Sequence, residues 1–324
     1  MIWLMWRQHR GEAIVVGLAL ALLAAVLIVT GLDMAGAYQQ LGVGACLGPS
    51  ANANCADIVE AFRHQFGAWP SLLTWLNLAP MLLAMLVGAP LVPRELEQRT
   101  HHLVWTQSIT RLRWVAVKLA LILGAGLVAS ALLTALLTWW RGPFDQLDGA
   151  FAPSGFDFEG IVPLAYMAYA FALAIAAGAL LRRTIPAMAV TVAGFLAVRL
   201  SILNWARPQY QPPLVYTWDP VLAQPSLPQN RGDWSIDGSW ADSLGHKLDL
   251  NQVISTCAPN STHFDMQPGT AFTQCTHTHG WLFTVTWQPA DRFWLFQGIE
   301  SAIFFGLAII LLALTIWWVR RRIV

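Results

Sequence analysis

The sequence predicts an all-α polytopic membrane protein with six transmembrane helices, both termini cytoplasmic, and a small, partly β extracytoplasmic domain between helices five and six. Six apolar stretches are each long enough to cross a bilayer, because a hydrocarbon core of about 30 Å needs about 20 helical residues. Composition agrees, since hydrophobic residues make up 56% of the 324 residues and charged residues only 11%. A soluble chain of this composition would lack the polar surface to cover its core.

The six stretches divide the chain into four regions. Helices are expected because a helix satisfies its own backbone hydrogen bonds where water is absent. The predicted spans are 13–32, 71–92, 115–140, 160–181, 185–203 and 294–319. The regions are an amphipathic interfacial segment 1–12, spans one to five 13–203 with a cytoplasmic loop 93–114, an extracytoplasmic domain 204–293, and span six with a basic tail 294–324.

Basic residues predict the orientation of the spans. Four basic clusters fall on one side if the chain crosses six times: Arg7 and Arg10; Arg94, Arg99, Arg111, Arg113 and Lys118; Arg182 and Arg183; and Arg320, Arg321 and Arg322. The positive-inside rule makes that side cytoplasmic. The net charge of +1 therefore hides a strong asymmetry, with most acidic residues on the outer side.

The first span resembles a secretory signal, because basic residues precede it and Ala35, Gly36 and Ala37 resemble a cleavage site. Its apolar run is longer than the roughly 7–15 residues of a signal core, so we expect a retained helix. The segment before it reads either as an amphipathic stretch in the membrane interface or as an ordinary charged flank.

The four cysteines are consistent with this topology, because disulfides persist in an oxidising compartment. Cys46 and Cys55 fall in the first outer loop, and Cys257 and Cys275 in the last. The simplest pairing joins Cys46 to Cys55 and Cys257 to Cys275. Four cysteines allow three connectivities, and free thiols remain the alternative.

The long outer segment 204–293 predicts a small folded domain. Alternation from Leu282 to Thr286, among β-forming residues, predicts a strand there. His263, His277, His279 and Asp265 are the potential metal ligands of the segment. His-x-His spacing is a weak signal, so no metal site and no cofactor is predicted.

Catalytic motifs are absent from the sequence. It contains no Gly-x-x-x-x-Gly-Lys-Ser/Thr phosphate loop, no His-Glu-x-x-His pair and no Gly-x-Ser-x-Gly elbow. The chain is therefore predicted not to be an enzyme.

The loop after the second span carries the strongest local pattern. It contains Arg94, Glu95, Leu96, Glu97, Gln98, Arg99 and Thr100, followed by Thr110, Arg111 and Lys118. Pro93 suits the first turn of a helix, and Glu95 and Arg99 are spaced to pair along one face. A charged helix on the membrane face could transmit force from a soluble partner; the alternative is a solvated loop that only sets topology.

This loop resembles that of permease subunits of bacterial type-2 ABC exporters, which reads approximately Arg-Glu-x-Glu-x-Gly-Thr before an apolar stretch, Ser/Thr-Arg and a downstream Lys. The likeness extends in architecture to the whole chain, but in motif to only about 25 residues. Arg99 departs from the expected Gly, which favours a continuing helix over a turn.

The resemblance implies a multi-pass protein of the bacterial plasma membrane that works with a separate ABC-type ATPase subunit. In that family the ATPase docks on this loop, here Arg94, Glu95, Glu97, Arg99, Thr100 and Arg111. A second copy of this or a related permease and membrane lipid are the other implied partners, with no nucleic acid. The direction of transport, export, rests on the resemblance alone.

Two ionisable residues lie inside predicted spans, where charge is costly and often functional. Arg199 and Glu300 lie at similar depth near the outer ends of spans five and six. We predict an ion pair between them; the alternative is that each side chain snorkels to the interface.

Three function classes follow from these patterns. The first is an export permease driven by a partner ATPase. The second is a membrane-anchored sensor or immunity protein that binds a ligand through its outer domain without transport. An intramembrane enzyme is disfavoured because no span carries a plausible catalytic pair.

Overall fold

The computed structural model describes residues 2–47, 54–91, 93, 111–222, 232–259, 266 and 268–322. Six helical segments within these residues are long and apolar enough to cross a membrane, as predicted. They are Ala13–Gln40, Ala68–Gly88, Leu119–Asp148, Val162–Leu181, Thr184–Gln209 and Ala290–Arg321, called spans one to six below. The chain is therefore a helical membrane protein in its main body.

Several spans belong to longer or composite helices. The first helix runs Ile2–Gln40, the third span lies in helix Arg111–Asp148, and the sixth lies in Phe293–Arg322 after a 3-10 turn Ala290–Arg292. No break separates segment 1–12 from the first span, so its placement in the interface stays a prediction. Short helices Val43–Leu47, Cys55–Phe66 and Pro153–Phe156 fill the connections.

The second span is irregular. Its α-helical turns Ala68–Leu73 and Ala79–Leu83 are separated by a 3-10 turn, Thr74–Leu78, and followed by a π-turn, Ala84–Gly88. Pro80 contributes to this irregularity, because proline has no backbone N–H to donate to the helix.

Span four is the central helix of the bundle. In its most apolar stretch 78% of the residues are buried, against 6–28% in those of the other five spans. Alanines such as Ala165, Ala172 and Ala179 are fully buried along it, and small side chains let neighbouring helices approach closely. The remaining spans expose large apolar side chains such as Leu18, Leu132 and Ile309, as lipid-facing helices do.

A second core joins the first helix to the third. Leu27, Met34, Phe62 and Trp140 are buried in it, and the Trp140 indole donates to Thr30 Oγ1 at 3.0 Å. This packing explains why both helices continue past their predicted ends at residues 32 and 140, because Phe62 of helix Cys55–Phe66 packs against the extensions.

The segment between spans five and six forms a small α/β unit. Strands β1 (Leu214–Trp218), β2 (Trp234–Ala241), β3 (Lys247–Leu248) and β4 (Leu282–Gln288) form an antiparallel sheet in the order β1-β4-β2-β3. The strand predicted at 282–286 is the core of β4. Helices Leu250–Cys257 and Ala271–Thr278 pack on the sheet around Trp240. We call this end of the bundle the sheet end.

All four cysteines are paired as the simplest connectivity predicted. Cys46 bonds to Cys55 across 5.2 Å between Cα atoms, and Cys257 bonds to Cys275 across 5.5 Å. The first pair joins the short 3-10 helix to the helix that covers spans one and three, and the second joins the two helices of the sheet unit.

Candidate functional site

The most unusual feature of the bundle is a cluster of four charged side chains buried among spans four, five and six. Arg199 and Arg207 belong to span five, Glu300 to span six, and Asp157 to the loop before span four. Their exposed fractions are 6%, 1%, 0% and 6%. Since burial of unpaired charge is very costly, all four must be compensated by one another.

Arg207 is the hub of this charge network. Its Nη2 lies 2.7 Å from both Asp157 Oδ1 and Glu300 Oε1, and its Nε donates to Glu300 Oε2 at 2.8 Å. Its guanidinium also stacks 4.4 Å from the centre of the Phe156 ring. One arginine thus holds carboxylates from two different elements.

Arg199 completes the pairing. Its Nη2 lies 2.7 Å from Asp157 Oδ2, and its Nη1 lies 3.4 Å from Glu300 Oε1. The predicted partners Arg199 and Glu300 are therefore brought together, but at a longer distance than the three other ion pairs. Two arginines and two carboxylates leave the network with a formal charge of zero.

Two tyrosines extend the network. The hydroxyl of Tyr166, in the first turns of span four, contacts Glu300, lies 3.3 Å from Asp157 Oδ1 and accepts from Arg207 Nη2 at 3.0 Å. Its ring lies 3.8 Å from the Arg199 guanidinium. Tyr210 donates to Glu300 Oε2 at 3.3 Å. Spans four, five and six are thus held together at the sheet end.

The backbone of span five places both arginines on one side. Eight residues of regular α-helix turn by about 80° beyond two full turns, which would separate the side chains of Arg199 and Arg207. A π-turn at Ile202–Ala206 accommodates the extra residue. Such π-turns occur often at functional sites, and here the turn brings both guanidinium groups to Glu300.

Gln297 supports the site from span six. Its Oε1 accepts from the backbone N–H groups of Ile161 and Val162 at 3.0 Å each, and its Nε2 donates to the carbonyl of Phe156 at 2.9 Å. These N–H groups open span four and have no helical partner of their own. Gly160 lies beneath the amide with φ +69°, a conformation that favours glycine.

A second buried cluster lies beside the network. Arg141 Nη2 lies 3.2 Å from Asp145 Oδ1, and Arg141 Nε lies 3.3 Å from Glu159 Oε1. Burial, and then the hydrogen bond and charge of Asp145, raise the pKa of Glu159 to about 8. Asp157 behaves oppositely: burial alone would raise its pKa, but Arg199 and Arg207 hold it below its ordinary value.

The sheet unit is fastened directly to this end of the bundle. Gln288, at the end of β4, donates to the carbonyls of Pro208 and Gln211 at 3.2 and 2.7 Å. Arg292 then donates to the carbonyl of Pro212 and to Gln288 Oε1. The segment that leaves span five at 208–212 is therefore bonded to the segment that enters span six at 288–292. The first follows Arg207 of the charge network, and the second precedes Glu300.

Most of the predicted docking loop falls outside the described residues. Arg94, Glu95, Glu97, Arg99 and Thr100 lie outside the described residues, and Arg111 is described only as the first residue of a helix. The residues weighed for a metal lie in the sheet unit, where His277 contacts Asp219, and His279 lies beside the Cys257–Cys275 disulfide. His263 and Asp265 lie outside the described residues.

A comparison with protein-family models identifies the family of this chain. The family model described as ABC-2 membrane transporter related matches residues 17–207, more than half of the chain. The chain belongs to this family. The match covers nearly all of spans one to five, the predicted docking loop and both arginines of the network, and it ends before the sheet unit and Glu300. No curated protein and no solved structure matches the chain.

Family membership and six apolar helices make the chain a multi-pass membrane protein of the ABC-2 type. Arg207 and Asp157 were missed in the sequence because both lie outside the predicted spans, where charge is ordinary. The eight-residue spacing between Arg199 and Arg207 would indicate a shared site only if the helix continued past its predicted end at residue 203, and in the structure it continues to Gln209.

Proposed function

We propose that the chain is the transmembrane permease subunit of an ATP-driven ABC exporter in a bacterial plasma membrane, coupled to a separate ATPase subunit. The observation that carries this proposal is the family match over residues 17–207, which includes the predicted docking loop. The sequence lacks a phosphate loop, which agrees with ATP hydrolysis by a partner. The working unit has a second copy of this or a related permease.

In this proposal the sheet end faces outward and the charge network is the contact that opens and closes there. Alternating access needs helices that separate on one side of the membrane while remaining packed on the other. The network joins spans four, five and six through side chains. Parting spans four and six would break these ion pairs and the bonds of Gln297 to the backbone at the start of span four, but among the described residues no backbone-to-backbone hydrogen bond joins the spans. A buried network has few intermediate arrangements, because a half-paired charge is costly.

The docking loop would receive the ATPase on the opposite side. Arg94, Glu95, Glu97, Arg99, Thr100 and Arg111 are its proposed contacts. Span three begins directly after this loop, and its far end carries Arg141 beside Glu159, two residues from Asp157. Movement of the loop would therefore reach the sheet end along a single helix.

Affinity purification from native membranes in mild detergent tests this proposal. We expect a phosphate-loop ATPase to copurify with the wild-type chain and to be lost from a Glu95→Lys, Glu97→Lys variant. A Glu60→Lys variant is the control, since Glu60 is an exposed acid on helix Cys55–Phe66, on the proposed outer side. Absence of any such ATPase under several solubilisation conditions would contradict the proposal.

A second candidate is a membrane-anchored sensor or immunity protein that binds a ligand through the sheet unit. Gln288 and Arg292 bond the sheet unit to the backbone just after Arg207, which favours this candidate, because ligand binding to the sheet would reach the bundle. The two candidates differ in their need for an ATPase. A sensor would respond to its ligand with no ATPase present, whereas a permease would not transport its substrate without the ATPase.

A further inference from the structure

A cavity of about 80 Å³ lies between spans one, two, three and four, next to the charge network. Most of its wall is apolar, formed by leucines of spans one to three such as Leu23, Leu83 and Leu133. Five polar residues also line it: Asn77, Ser130, Thr134, Asp157 and Tyr166. The site is therefore apolar with a polar part, which suits a ligand that has both characters.

One polar atom of the wall lacks a partner. Asn77 Oδ1 is buried and, among the residues that the structure describes, accepts no hydrogen bond. A buried acceptor left unpaired is destabilising, so it favours any occupant that donates to it. By contrast, Ser130 Oγ donates to the carbonyl of Pro163 at 3.3 Å, and both oxygens of Asp157 are engaged by arginines.

The charges around the cavity discriminate between head groups. An anionic head would leave the Asn77 Oδ1 acceptor unpaired and would gain no counter-charge from the network, whose formal charge is zero. A cationic head would find Asp157 already neutralised, with Arg199 and Arg207 each 2.7 Å from it. A neutral donor, a hydroxyl or an amide N–H, meets neither penalty.

Size limits how much of a ligand enters. An engineered cavity of about 150 Å³ holds one benzene, so a cavity half that size holds a small head group and its first methylenes. The rest of a long chain must stay outside. Leu22 and Leu82, next in sequence to the lining residues Leu23 and Leu83, are exposed and offer apolar surface to such a chain.

We propose that this cavity binds the head of a neutral amphiphile, an apolar chain that carries a hydroxyl or amide donor, with Asn77 Oδ1 as its acceptor. Because Asp157 and Tyr166 belong to both the cavity wall and the charge network, the occupant contacts the groups that hold spans four, five and six together. Transport of this ligand rests on the proposed function; binding does not.

Photo-crosslinking tests the binding with the full chain in phosphatidylcholine nanodiscs and no ATPase present. The probe is dodecanol with a diazirine beside its head, and the dodecylammonium and dodecanoate analogues carry the same group. We expect saturable labelling of segments 76–83 and 129–137 by the alcohol, competed by unlabelled dodecanol, and weaker labelling by both charged analogues. Failure here would leave ATPase copurification unaffected, so the two proposals fail separately.

Two variants with matched controls keep the test sharp. Ala129→Leu fills the cavity and should abolish saturable labelling, whereas Ala131→Leu, on the exposed side of the same span, should not. Asn77→Leu should weaken binding by about three- to tenfold, the loss of one hydrogen bond. Asn204→Leu, at an exposed amide that bonds Leu200, should leave binding unchanged. The proposal is overturned by non-saturable labelling, by labelling that survives Ala129→Leu or is unchanged in Asn77→Leu, or by a charged probe that labels as strongly as the alcohol.

Discussion

The charge network makes a quantitative prediction about removal of one charge and of a matched pair. Glu300→Gln leaves Asp157 facing two buried arginines, a net charge of +1 in a site where Arg207 is 1% exposed. Leaving such a charge unpaired costs about 3–5 kcal/mol, and Arg207→Met costs about the same with the opposite sign of charge. The double variant keeps only Asp157 and Arg199, which lie 2.7 Å apart and cancel.

A double-mutant cycle measures this coupling. We expect each single variant to lower the free energy of unfolding in mixed micelles by about 3–5 kcal/mol, and the double variant to lower it by about 2 kcal/mol less than the sum of the two. The exposed pair Arg63 and Asp148, at 45% and 40% side-chain exposure, is the control. Its coupling should stay below about 1 kcal/mol. Additive losses at Arg207 and Glu300 would refute the network as a coupled unit.

Three further predictions concern Glu159, Gln297 and the two disulfides. The folded state keeps a proton on Glu159 up to about pH 8, while the unfolded chain loses it near 4.5, so the free energy of unfolding should fall as pH rises through that window. Glu159→Gln should flatten this pH dependence, and a slope that persists in the variant would contradict the assignment. Gln297→Leu leaves two N–H groups at the start of span four unpaired, the part-buried one of Ile161 and the buried one of Val162, and should cost about 1–3 kcal/mol in unfolding assays. Gln252→Leu, at an exposed position of the sheet unit, is the matched control and should be close to neutral; equal losses in the two variants would contradict the role of Gln297. Reduction of both disulfides, whose loops span 9 and 18 residues, should lower the free energy of unfolding by about 3 kcal/mol for each bond. A total loss of only about 3 kcal/mol would contradict the presence of both bonds.

The six spans could be predicted from sequence because length and hydropathy are properties of a single helix. Their ends could not, since the first helix continues to Gln40 and the third to Asp148 through packing against the Cys55–Phe66 helix. Only tertiary structure shows such contacts. The sheet was predicted through one strand, β4, whose sequence is rich in β-forming residues, whereas β2, equally central, contains Asp237 and Gly238, which are rare in strands.

The same limit applies to the site. Arg199 and Glu300 could be found because a charge inside an apolar run is conspicuous. Arg207 and Asp157 could not, because each lies at or beyond the end of a predicted span. They are buried because the sheet unit covers that end of the bundle, where Phe151 packs against Trp234 of β2 and against Phe296. The burial of Arg207 and Asp157, the two members of the network that the sequence did not predict, is a consequence of the fold and not of local sequence.

The central claim is that a partner ATPase opens and closes the sheet end, and cysteine accessibility at Ser301 tests it most directly. Ser301 lies beside Glu300, is 5% exposed, and its Oγ has no hydrogen-bond partner among the described residues. All four native cysteines are in disulfides, so a Ser301→Cys variant carries the single reactive thiol. In vesicles that contain the chain and the proposed partner ATPase, labelling by a membrane-impermeant maleimide should differ by at least about tenfold between nucleotide-free and ATP-trapped states. Equal labelling in both states, with ATP hydrolysis intact, would contradict the account.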